Sequence, residues 1–239
     1  MAYQAIFQRY EMKYLITAEQ KQKVLSAMAP YMTLDKYGRT VIRNLYFDTP
    51  DYRLIRHSIE KPPYKEKLRI RSYALATPES SVFIELKKKY DSIVYKRRLS
   101  MPEQQAMDWL VGGQDAPEDT QIVREIDYFL HFYPELKPMV YLSYAREAYF
   151  CNAGSSLRIT FDDDILCRQD RLTLTEPPGG DRIIPEGMAL MEIKCAGGYP
   201  LWLTSVLSGE QIRRTSFSKY GTAYQKLIFP KLQGGHQHV

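Results

Sequence analysis

The sequence predicts an α+β fold in which about eight antiparallel strands close into a barrel-like tunnel and helices pack on its outside. Three observations lead to this prediction. Many stretches alternate polar and apolar residues, which is the periodicity of a half-buried strand and not of a helix. Turn residues or stretches with helical spacing separate them. Most of the predicted strands carry one charged face, and closure of the sheet would turn those faces inward.

A basic hairpin lies at the centre of this pattern. Residues 65–98 contain ten Lys or Arg residues against four Asp or Glu residues. Side chains two positions apart on a strand share a face, so alternation along these strands collects most of the charges on one side. The residues predicted on this face are Lys67, Arg69, Arg71, Glu85, Lys87, Lys89, Lys96 and Arg98. Guanidinium groups at this spacing suit phosphate or carboxylate oxygens, so the face is expected to hold an anion.

A solvated charged face is the alternative interpretation, because antiparallel sheets often bury one face and leave the other in water. Like charges on adjacent strands repel, and two cations about 5 Å apart cost roughly 3 kcal/mol at an effective dielectric near 20. The excess of cations therefore favours a bound anion. On this reasoning, replacing Arg69 and Arg71 with alanine relieves repulsion and leaves the ligand-free protein at least as stable, while anion affinity is lost.

Length and composition predict a single domain over residues 1–230 and a disordered tail over residues 231–239. The net charge of +5, from 33 basic and 28 acidic residues, argues against indiscriminate nucleic-acid binding but permits a local basic site. The three cysteines have no metal-binding spacing, which indicates a reduced, cytoplasmic protein. No apolar run approaches 18 residues and no signal-peptide core is evident, so a soluble chain without a transmembrane segment is expected.

Two capping boxes predict helix starts. Thr17 with Gln20 begins a helix that ends at Pro30, and Ser100 with Glu103 begins a helix over residues 101–111. Outside the basic hairpin, strands are predicted over residues 5–16, 40–49, 139–150, 156–166 and 189–195. A helical turn is predicted over 51–60, a helix over 118–133 and a further helix from about Ser218. Residues 170–185 are predicted to form a mobile surface loop.

Charged faces recur on four of these strands. The first strand places Arg9, Glu11 and Lys13 together, and the strand over 189–195 places Glu192 in line with Lys194. The strand over 139–150 presents Tyr144 and Arg146 on one side, and Arg158 shares parity with Thr160 and Asp162 on the next strand. A lining with this many cations suits a polyanion such as a chain of phosphates. Glu11, Glu85 and Glu192 are the carboxylates expected to hold Mg²⁺ or Mn²⁺ against phosphate oxygens.

Eight short motifs also carry a family resemblance. The motifs RYEMKY, LYFDT, KLRIRSY, FIELKKK, YAREAY, LRITFDDDI, LMEIKC and SFSKYG occur in this order along nearly the whole chain. Together they resemble the VTC domain, the polyphosphate polymerase branch of the triphosphate tunnel metalloenzymes, also called CYTH-like proteins. The resemblance implies an antiparallel β tunnel, in agreement with the alternation argument. Arg9 stands where the wider superfamily has a glutamate, a departure that resembles the polymerase branch more than the triphosphatases.

The resemblance also implies residue roles. The residues expected to act on the transferred phosphate are Arg69, Arg71, Lys87, Arg146 and Lys219, the last being the lysine of the FSK motif. The other phosphate-binding residues are expected to be Arg9, Lys13, Lys67, Lys96, Arg98, Tyr144, Arg158, Lys194 and Ser218. Glu192 matches the metal-binding glutamate of the family, and Glu11 and Glu85 complete the metal set proposed from the charge pattern.

The activity implied is metal-dependent transfer of the γ-phosphate of ATP to a growing polyphosphate chain, with ATP and inorganic polyphosphate or pyrophosphate as partners. A triphosphate hydrolase and a non-catalytic module that binds polyphosphate or inositol phosphates remain alternatives. A nucleic-acid binder is less favoured, because the aromatic residues are expected mainly on the faces opposite the charges and so would not stack bases beside them. A membrane partner protein is left open.

Overall fold

The computed structural model describes residues 10–91 and 93–234. The strands are β1 (Tyr10–Thr17), β2 (Met32–Leu34), β3 (Thr40–Asp48), β4 (Tyr64–Ser72), β5 (Ser81–Tyr90), β6 (Ile93–Pro102), β7 (Lys137–Cys151), β8 (Arg158–Arg168), β9 (Asp181–Arg182), β10 (Met188–Cys195) and β11 (Arg214–Thr215). The α-helices are α1 (Ala18–Met28), α2 (Arg53–Ile59), α3 (Glu103–Leu110), α4 (Gln121–Phe132), α5 (Leu201–Gly209), α6 (Lys219–Ala223) and α7 (Phe229–Gly234). A π-helical turn, Tyr224–Ile228, connects α6 to α7.

The strands form one 11-stranded sheet in the order β11-β1-β10-β8-β7-β3-β4-β5-β6, with β2 paired to β7 and β9 paired to β8. Each of the eight predicted strands is present with at least eight residues, whereas the three additional strands β2, β9 and β11 contain only two or three. The predicted closure of the sheet is wrong: no ladder within the described ranges joins β11 to β6. β11 is only two residues long, and β6 leads directly into α3, so neither end offers a long partner strand.

The chain forms two compact units, each assembled from separate segments. Of the described residues, the first unit contains 10–40, 144–165 and 184–217, and the second contains 41–91, 93–143, 166–183 and 218–234. The prediction of a single domain over residues 1–230 stays a prediction.

In the first unit, one face of the sheet packs against α1 and α5. The buried side chains of this core include Tyr14, Ile16, Val24, Met28, Ile159, Phe161, Met191, Ile193, Leu203 and Leu207. Because neighbouring residues on a strand point to opposite faces, the intervening residues of β1 and β10 present the other face. That face carries Glu11 and Lys13 on β1, opposite Lys194 and Glu192 on β10.

In the second unit, β3, β4 and β5 pack their apolar face against α3 and α4. This core includes Leu45, Leu68, Ile70, Ile84, Leu86, Trp109, Val123, Ile126 and Phe129. The opposite face of the same strands presents the predicted cations, in the predicted register: Arg69 lies opposite Glu85, and Glu85 lies opposite Arg98. The sequence alternation therefore determines which face of each unit carries the charges.

One predicted capping box is confirmed and the other is wrong. The amide of Gln20 donates to Thr17 Oγ1 over 3.2 Å, and the amide of Thr17 donates to Gln20 Oε1 over 3.0 Å. α3 begins after Pro102 without a side-chain cap. Strand pairing overrides the local signal there, because β6 continues to Pro102 and the Ser100 hydroxyl lies 2.6 Å from that of Ser81.

The predictions that two segments lack order are wrong for the residues that the structure describes. In the loop over 170–185, Leu174 is fully buried in the core of the second unit, and the Arg168 guanidinium donates to the carbonyl oxygen of Pro177 over 2.9 Å. In the predicted tail, residues 231–234 continue α7, and Lys231 Nζ lies 3.4 Å from Asp181 Oδ2. Residues 235–239 lie outside the described residues. Among the described helices, none has both the length and the apolar character to cross a bilayer.

Candidate functional site

A single buried carboxylate organises the charged face of the second unit. The Glu85 side chain is only 1% exposed. Arg69 Nε and an Nη nitrogen lie 2.8 and 2.6 Å from Glu85 Oε2, and Lys96 Nζ lies 2.6 Å from Oε1. Arg98 Nε and Arg71 Nε approach the same carboxylate at 3.4 and 3.9 Å. Four cations thus share one carboxylate, and four minus one leaves an excess of three positive charges.

The protonation state of Glu85 follows from this arrangement. Burial alone would raise its pKa, but the charges of Arg69 and Arg71 and the hydrogen bond from Lys96 outweigh burial and lower the pKa to about 2. Burial, opposed by Glu85 and assisted by the two arginines, lowers the pKa of Lys96. Glu85 is therefore ionised at neutral pH and acts as a fixed anchor for the surrounding cations.

Neutral side chains fix the orientation of the guanidinium groups. Arg71 Nε donates to Asn44 Oδ1 over 3.0 Å, and Asn44 Nδ2 donates to the carbonyl oxygen of Leu142 over 3.0 Å. Arg69 Nη1 donates to the Tyr46 hydroxyl over 2.8 Å. Both arginines are thereby held in place before any ligand binds.

Some aromatic rings lie among these cations, while Tyr64, Tyr90 and Tyr95 have the opposite strand parity, as predicted for most of the aromatic residues. The Arg98 guanidinium carbon is 3.8 Å from the centroid of the Phe83 ring, and Arg98 Nη2 donates to the Tyr73 hydroxyl over 2.9 Å. Phe83 shares the strand parity of Glu85, which is why it reaches the charged face. The Arg98 guanidinium is stacked on this ring, as cation–π pairs commonly are.

A row of lysines crosses three strands beside the Glu85 cluster. Lys67 of β4 lies opposite Lys87 of β5, which lies opposite Lys96 of β6. Directly opposed residues on antiparallel strands have Cβ atoms roughly 5 Å apart, so these cations repel each other, and Glu85 offsets part of that repulsion through its contact with Lys96.

The Ser218 hydroxyl is arranged to donate a hydrogen bond. Its Oγ accepts from the amide of Gly221 over 3.2 Å and from Lys67 Nζ over 3.3 Å. A hydroxyl has two acceptor lone pairs and one donor hydrogen, so its hydrogen is left to donate to an anion. A Cβ on Gly221 would lie 3.2 Å from Ser218 Cβ, a tight contact that favours glycine at this position. Lys219 is the first residue of α6, immediately after Ser218.

The charged face of the first unit contains a second buried carboxylate. Arg146 Nε and Nη2 donate to the two oxygens of Asp162 over 2.5 and 2.6 Å, and the Asp162 side chain is fully buried. This bidentate geometry fixes the guanidinium plane. The Arg146 guanidinium carbon also lies 5.2 Å from the centroid of the Tyr144 ring.

Glu11 and Glu192 share two lysines in the same unit. Lys13 Nζ lies 3.4 Å from Glu11 Oε1 and 3.7 Å from Glu192 Oε1, and it donates to the carbonyl oxygen of Phe217 over 3.0 Å. Lys194 Nζ lies 3.4 and 4.0 Å from the other oxygens of the same two carboxylates. These separations exceed hydrogen-bond length for charged pairs, which is about 2.8 Å.

The carboxylates differ in their suitability for a divalent metal. Mg²⁺ is commonly held by one or two carboxylates together with substrate phosphates, and Glu11 with Glu192 fits that pattern. Both oxygens of Glu85 contact cations, and its role as a metal ligand stays a prediction. Within the described residues, no group of three or more His, Cys, Asp or Glu side chains could hold a metal without further ligands.

The structure thus divides the predicted residues between two faces. The charged face of the second unit carries Lys67, Arg69, Arg71, Glu85, Lys87, Lys96 and Arg98, Ser218 contacts Lys67, and Lys219 belongs to the same unit. The first unit carries Glu11, Lys13, Tyr144, Arg146, Arg158, Glu192 and Lys194. Arg158 lies opposite Lys194, with its guanidinium carbon 4.7 Å from the centroid of the Phe150 ring. Arg9 lies outside the described residues.

Sequence reasoning missed the buried pair Asp48 and Tyr220. The Asp48 carboxylate is fully buried and accepts from the amides of Thr49, Leu54 and Ile55 at 2.8 to 3.0 Å. The Tyr220 hydroxyl donates to the same carboxylate over 2.9 Å, which connects α6 to the end of β3. An acidic residue that ends an apolar strand just before a short helix is the signal that could have identified Asp48.

Solved structures share this fold. A candidate adenylate cyclase from Bacillus halodurans is 17% identical with a TM-score of 0.54, over 91% of this chain and 96% of that protein. A candidate adenylyl cyclase from Hippeastrum, described as having a dominant triphosphatase activity, is 16% identical with a TM-score of 0.54, over 91% of this chain and 95% of that protein. No curated protein matches the chain significantly.

An antiparallel sheet with helices packed on its apolar face is the fold that this chain shares with these solved structures. The VTC domain family model matches residues 8–228, and the chain belongs to the VTC domain family. The family resemblance inferred from the eight motifs is confirmed.

Proposed function

We propose that this protein is a polyphosphate polymerase that transfers the γ-phosphoryl group of ATP to the end of a growing polyphosphate chain. The observation that carries the proposal is the Glu85 cluster, in which a buried carboxylate holds four cations and leaves a net positive charge. An excess of oriented cations is what a chain of phosphates requires from a protein. Membership of the VTC domain family supports polymerisation as the use of that site.

The chemistry needs positioning and charge neutralisation more than a reactive side chain. Phosphoryl transfer has a loose transition state with charge spread over the equatorial oxygens. Arg69 and Arg71 are oriented by Glu85 and Asn44 before the ligand arrives, so they stabilise that charge without reorganisation. The Ser218 hydroxyl, whose lone pairs are engaged, donates its hydrogen to a phosphate oxygen.

No side-chain nucleophile is required, because the acceptor is already an anionic phosphate oxygen. Holding that oxygen close to the γ-phosphate and excluding water favours transfer over hydrolysis. Tyr46, Tyr73 and Phe83 lie beside the guanidinium groups of Arg69 and Arg98, where they reduce the access of water to these donors.

Mg²⁺ or Mn²⁺ would be held by Glu192 and Glu11, with phosphate oxygens as the remaining ligands, and would neutralise phosphate charge. Lys13 and Lys194 lie beside both carboxylates. Arg146, fixed by Asp162, is the third cation of this group and lies 3.8 Å from Glu192 Oε2. It would bind a phosphate oxygen next to the metal ligands.

Triphosphate hydrolysis is the second candidate. The description of the Hippeastrum protein reports a dominant triphosphatase activity on the same fold. The two activities use the same cations and differ in whether phosphate or water accepts the phosphoryl group. A module that only binds polyphosphate or inositol phosphates would use the cations but would not need Glu192.

Product analysis separates these functions. Purified protein with ATP and Mn²⁺ is expected to form long-chain polyphosphate visible on a gel, whereas a hydrolase releases orthophosphate and a binding module forms neither.

Glu192→Gln is expected to keep tripolyphosphate affinity within about threefold and to lose turnover, because it removes a metal ligand and not a phosphate contact. Glu125→Gln, which breaks a surface pair with Arg97, is the matched control and should leave both unchanged. Equal losses of binding and turnover in Glu192→Gln would make Glu192 a structural residue.

A further inference from the structure

The turn end of the β5–β6 hairpin exposes a group of large apolar side chains that the proposed reaction does not use. We define this hairpin tip by Tyr64, Tyr90, Ile93, Val94 and Tyr95. Each of these side chains is between 40% and 58% exposed. None of them belongs to the predicted phosphate or metal site.

Tyr64, Tyr90, Ile93 and Tyr95 share one face of the strands, and Val94 points to the other face at the same end of the hairpin. Tyr64 of β4 lies opposite Tyr90 of β5, and Tyr90 lies opposite Ile93 of β6. Val94 and Tyr95 occupy the next two positions of β6. Single exposed apolar residues are ordinary, but a contiguous group indicates an interaction surface.

Lysines surround this patch. Val94 lies opposite Lys89 and Tyr95 lies opposite Lys88, while Lys65 lies opposite Lys89 on the other side. Lys61 precedes β4 and is exposed. Burial, followed by the charges of Lys89 and Lys61, lowers the pKa of Lys65, which shows that these ammonium groups act on one another.

Acidic groups near the tip do not cancel this charge. Glu60 and Asp91 are exposed, whereas Glu66 is buried and lies 3.9 Å from Lys88 Nζ. Four lysines therefore face three acids, Glu66 included, so the tip combines an apolar end with a small excess of positive charge.

We propose that the hairpin tip is a contact surface for an anionic lipid membrane. Ile93 and Val94 would enter the boundary of the acyl chains, and the tyrosines would lie at headgroup level, where their rings are apolar and their hydroxyls are hydrated. The lysines would bind anionic headgroups, as basic residues do beside other interfacial apolar segments.

Other partners fit the tip less well. Ile93 and Val94 offer no ring on which a base could stack, and the rings of Tyr64 and Tyr90 are inclined by 58° with centroids 6.5 Å apart, so they form no parallel platform for nucleic acid. A second copy of the chain would bring the same lysines together, which opposes association through this surface.

Vesicle co-sedimentation tests the proposal. The protein is expected to bind vesicles of phosphatidylcholine with phosphatidylserine, to bind pure phosphatidylcholine weakly, and to dissociate as salt screens the lysines.

Ile93→Ser with Val94→Ser should weaken binding to the anionic vesicles about tenfold or more, since it removes the inserted apolar groups. Val111→Ser is the matched control, because Val111 is 49% exposed and Val94 is 48% exposed. Lys65→Gln with Lys89→Gln should also weaken binding and reduce its salt dependence.

A spectroscopic readout tests insertion directly. Tryptophan at position 90 (Tyr90→Trp) should show a blue-shifted emission, after subtraction of the parent spectrum, when anionic vesicles are added. Tyr128→Trp on α4, where the native tyrosine is 67% exposed, should show no shift. Tripolyphosphate stabilisation should be unchanged in the Ile93→Ser, Val94→Ser variant and in Tyr90→Trp, which separates this proposal from the proposed polymerase function. No binding to anionic vesicles, equal binding to neutral vesicles, or hairpin-tip variants that bind like the parent would overturn it.

Discussion

At the scale of single residues, Glu85 determines whether the cationic face can exist without a ligand. Its carboxylate lies within 4 Å of Arg69, Arg71, Lys96 and Arg98, and it is almost completely buried. A buried charge is tolerated only when it is paired, and a cluster of cations is tolerated only when it is partly neutralised. Glu85 meets both requirements and still leaves the net positive charge that an incoming phosphate chain can neutralise.

Glu85→Gln is therefore expected to destabilise the ligand-free protein at neutral pH. A pKa lowered from 4.5 to about 2 corresponds to a contribution on the order of 3 kcal/mol. Because the folded-state pKa is lowered, this stability is present above pH 4.5 and is lost as the pH falls towards 2. Denaturant unfolding of the parent and the variant should thus show a gap at neutral pH that closes on acidification. A gap that does not change between neutral pH and pH 2 would contradict this role, and Glu125→Gln is the control for a surface pair.

The structure reverses the expectation for the Arg69→Ala, Arg71→Ala double variant. Relief of repulsion predicted an unchanged or higher stability, but the change removes the closest partner of a buried carboxylate, which typically costs 3–5 kcal/mol. We now expect a lower apo melting temperature together with a large loss of tripolyphosphate affinity.

Addition of Glu85→Gln to the double variant should recover part of the stability, because it removes a buried carboxylate that has lost two of its four cations, and should not recover affinity. Thermal melting and ligand titration of the double and triple variants measure both effects. A double variant as stable as the parent, or a triple variant that regains affinity, would contradict the assignment.

At the scale of secondary-structure elements, α6 delivers two predicted phosphate ligands and is fixed from within the core. Ser218 caps this short helix, and Lys219 is its first residue. A helix of five residues has little stability of its own, so its position depends on tertiary contacts. The hydrogen bond from Tyr220 to Asp48 is the buried contact that ties it to the end of β3.

Tyr220→Phe should lower the unfolding free energy by about 1.5–3 kcal/mol, the range for hydrogen bonds to charged groups. It should also weaken tripolyphosphate binding, since the start of α6 carrying Ser218 becomes less constrained. Tyr224→Phe, a buried tyrosine further along the same segment whose hydroxyl donates no hydrogen bond among the described residues, is the control. Denaturant unfolding and calorimetric titration give the two quantities, and a variant indistinguishable from this control would show that the Asp48 contact does not position α6.

At the scale of the whole molecule, the sequence predicts the charged faces well because strand periodicity is fixed by the backbone. Once β4, β5 and β6 pair in register, Arg69, Glu85 and Arg98 must share one face. The sequence could not predict that one carboxylate would contact four cations, since that depends on side-chain conformations and burial. The short strands β2, β9 and β11 span too few residues to show a period. The Ser100 capping box does not form because Ser100 is part of the paired strand β6.

The most direct test of the central claim is whether a chain of phosphates stabilises the protein. Tripolyphosphate at about one hundred times its dissociation constant should add roughly 2.7 kcal/mol to the unfolding free energy and raise the melting temperature. Orthophosphate at the same concentration should have a much smaller effect, because it can reach fewer of the cations at once. An unchanged melting temperature with excess tripolyphosphate, both with and without Mn²⁺, would contradict the account.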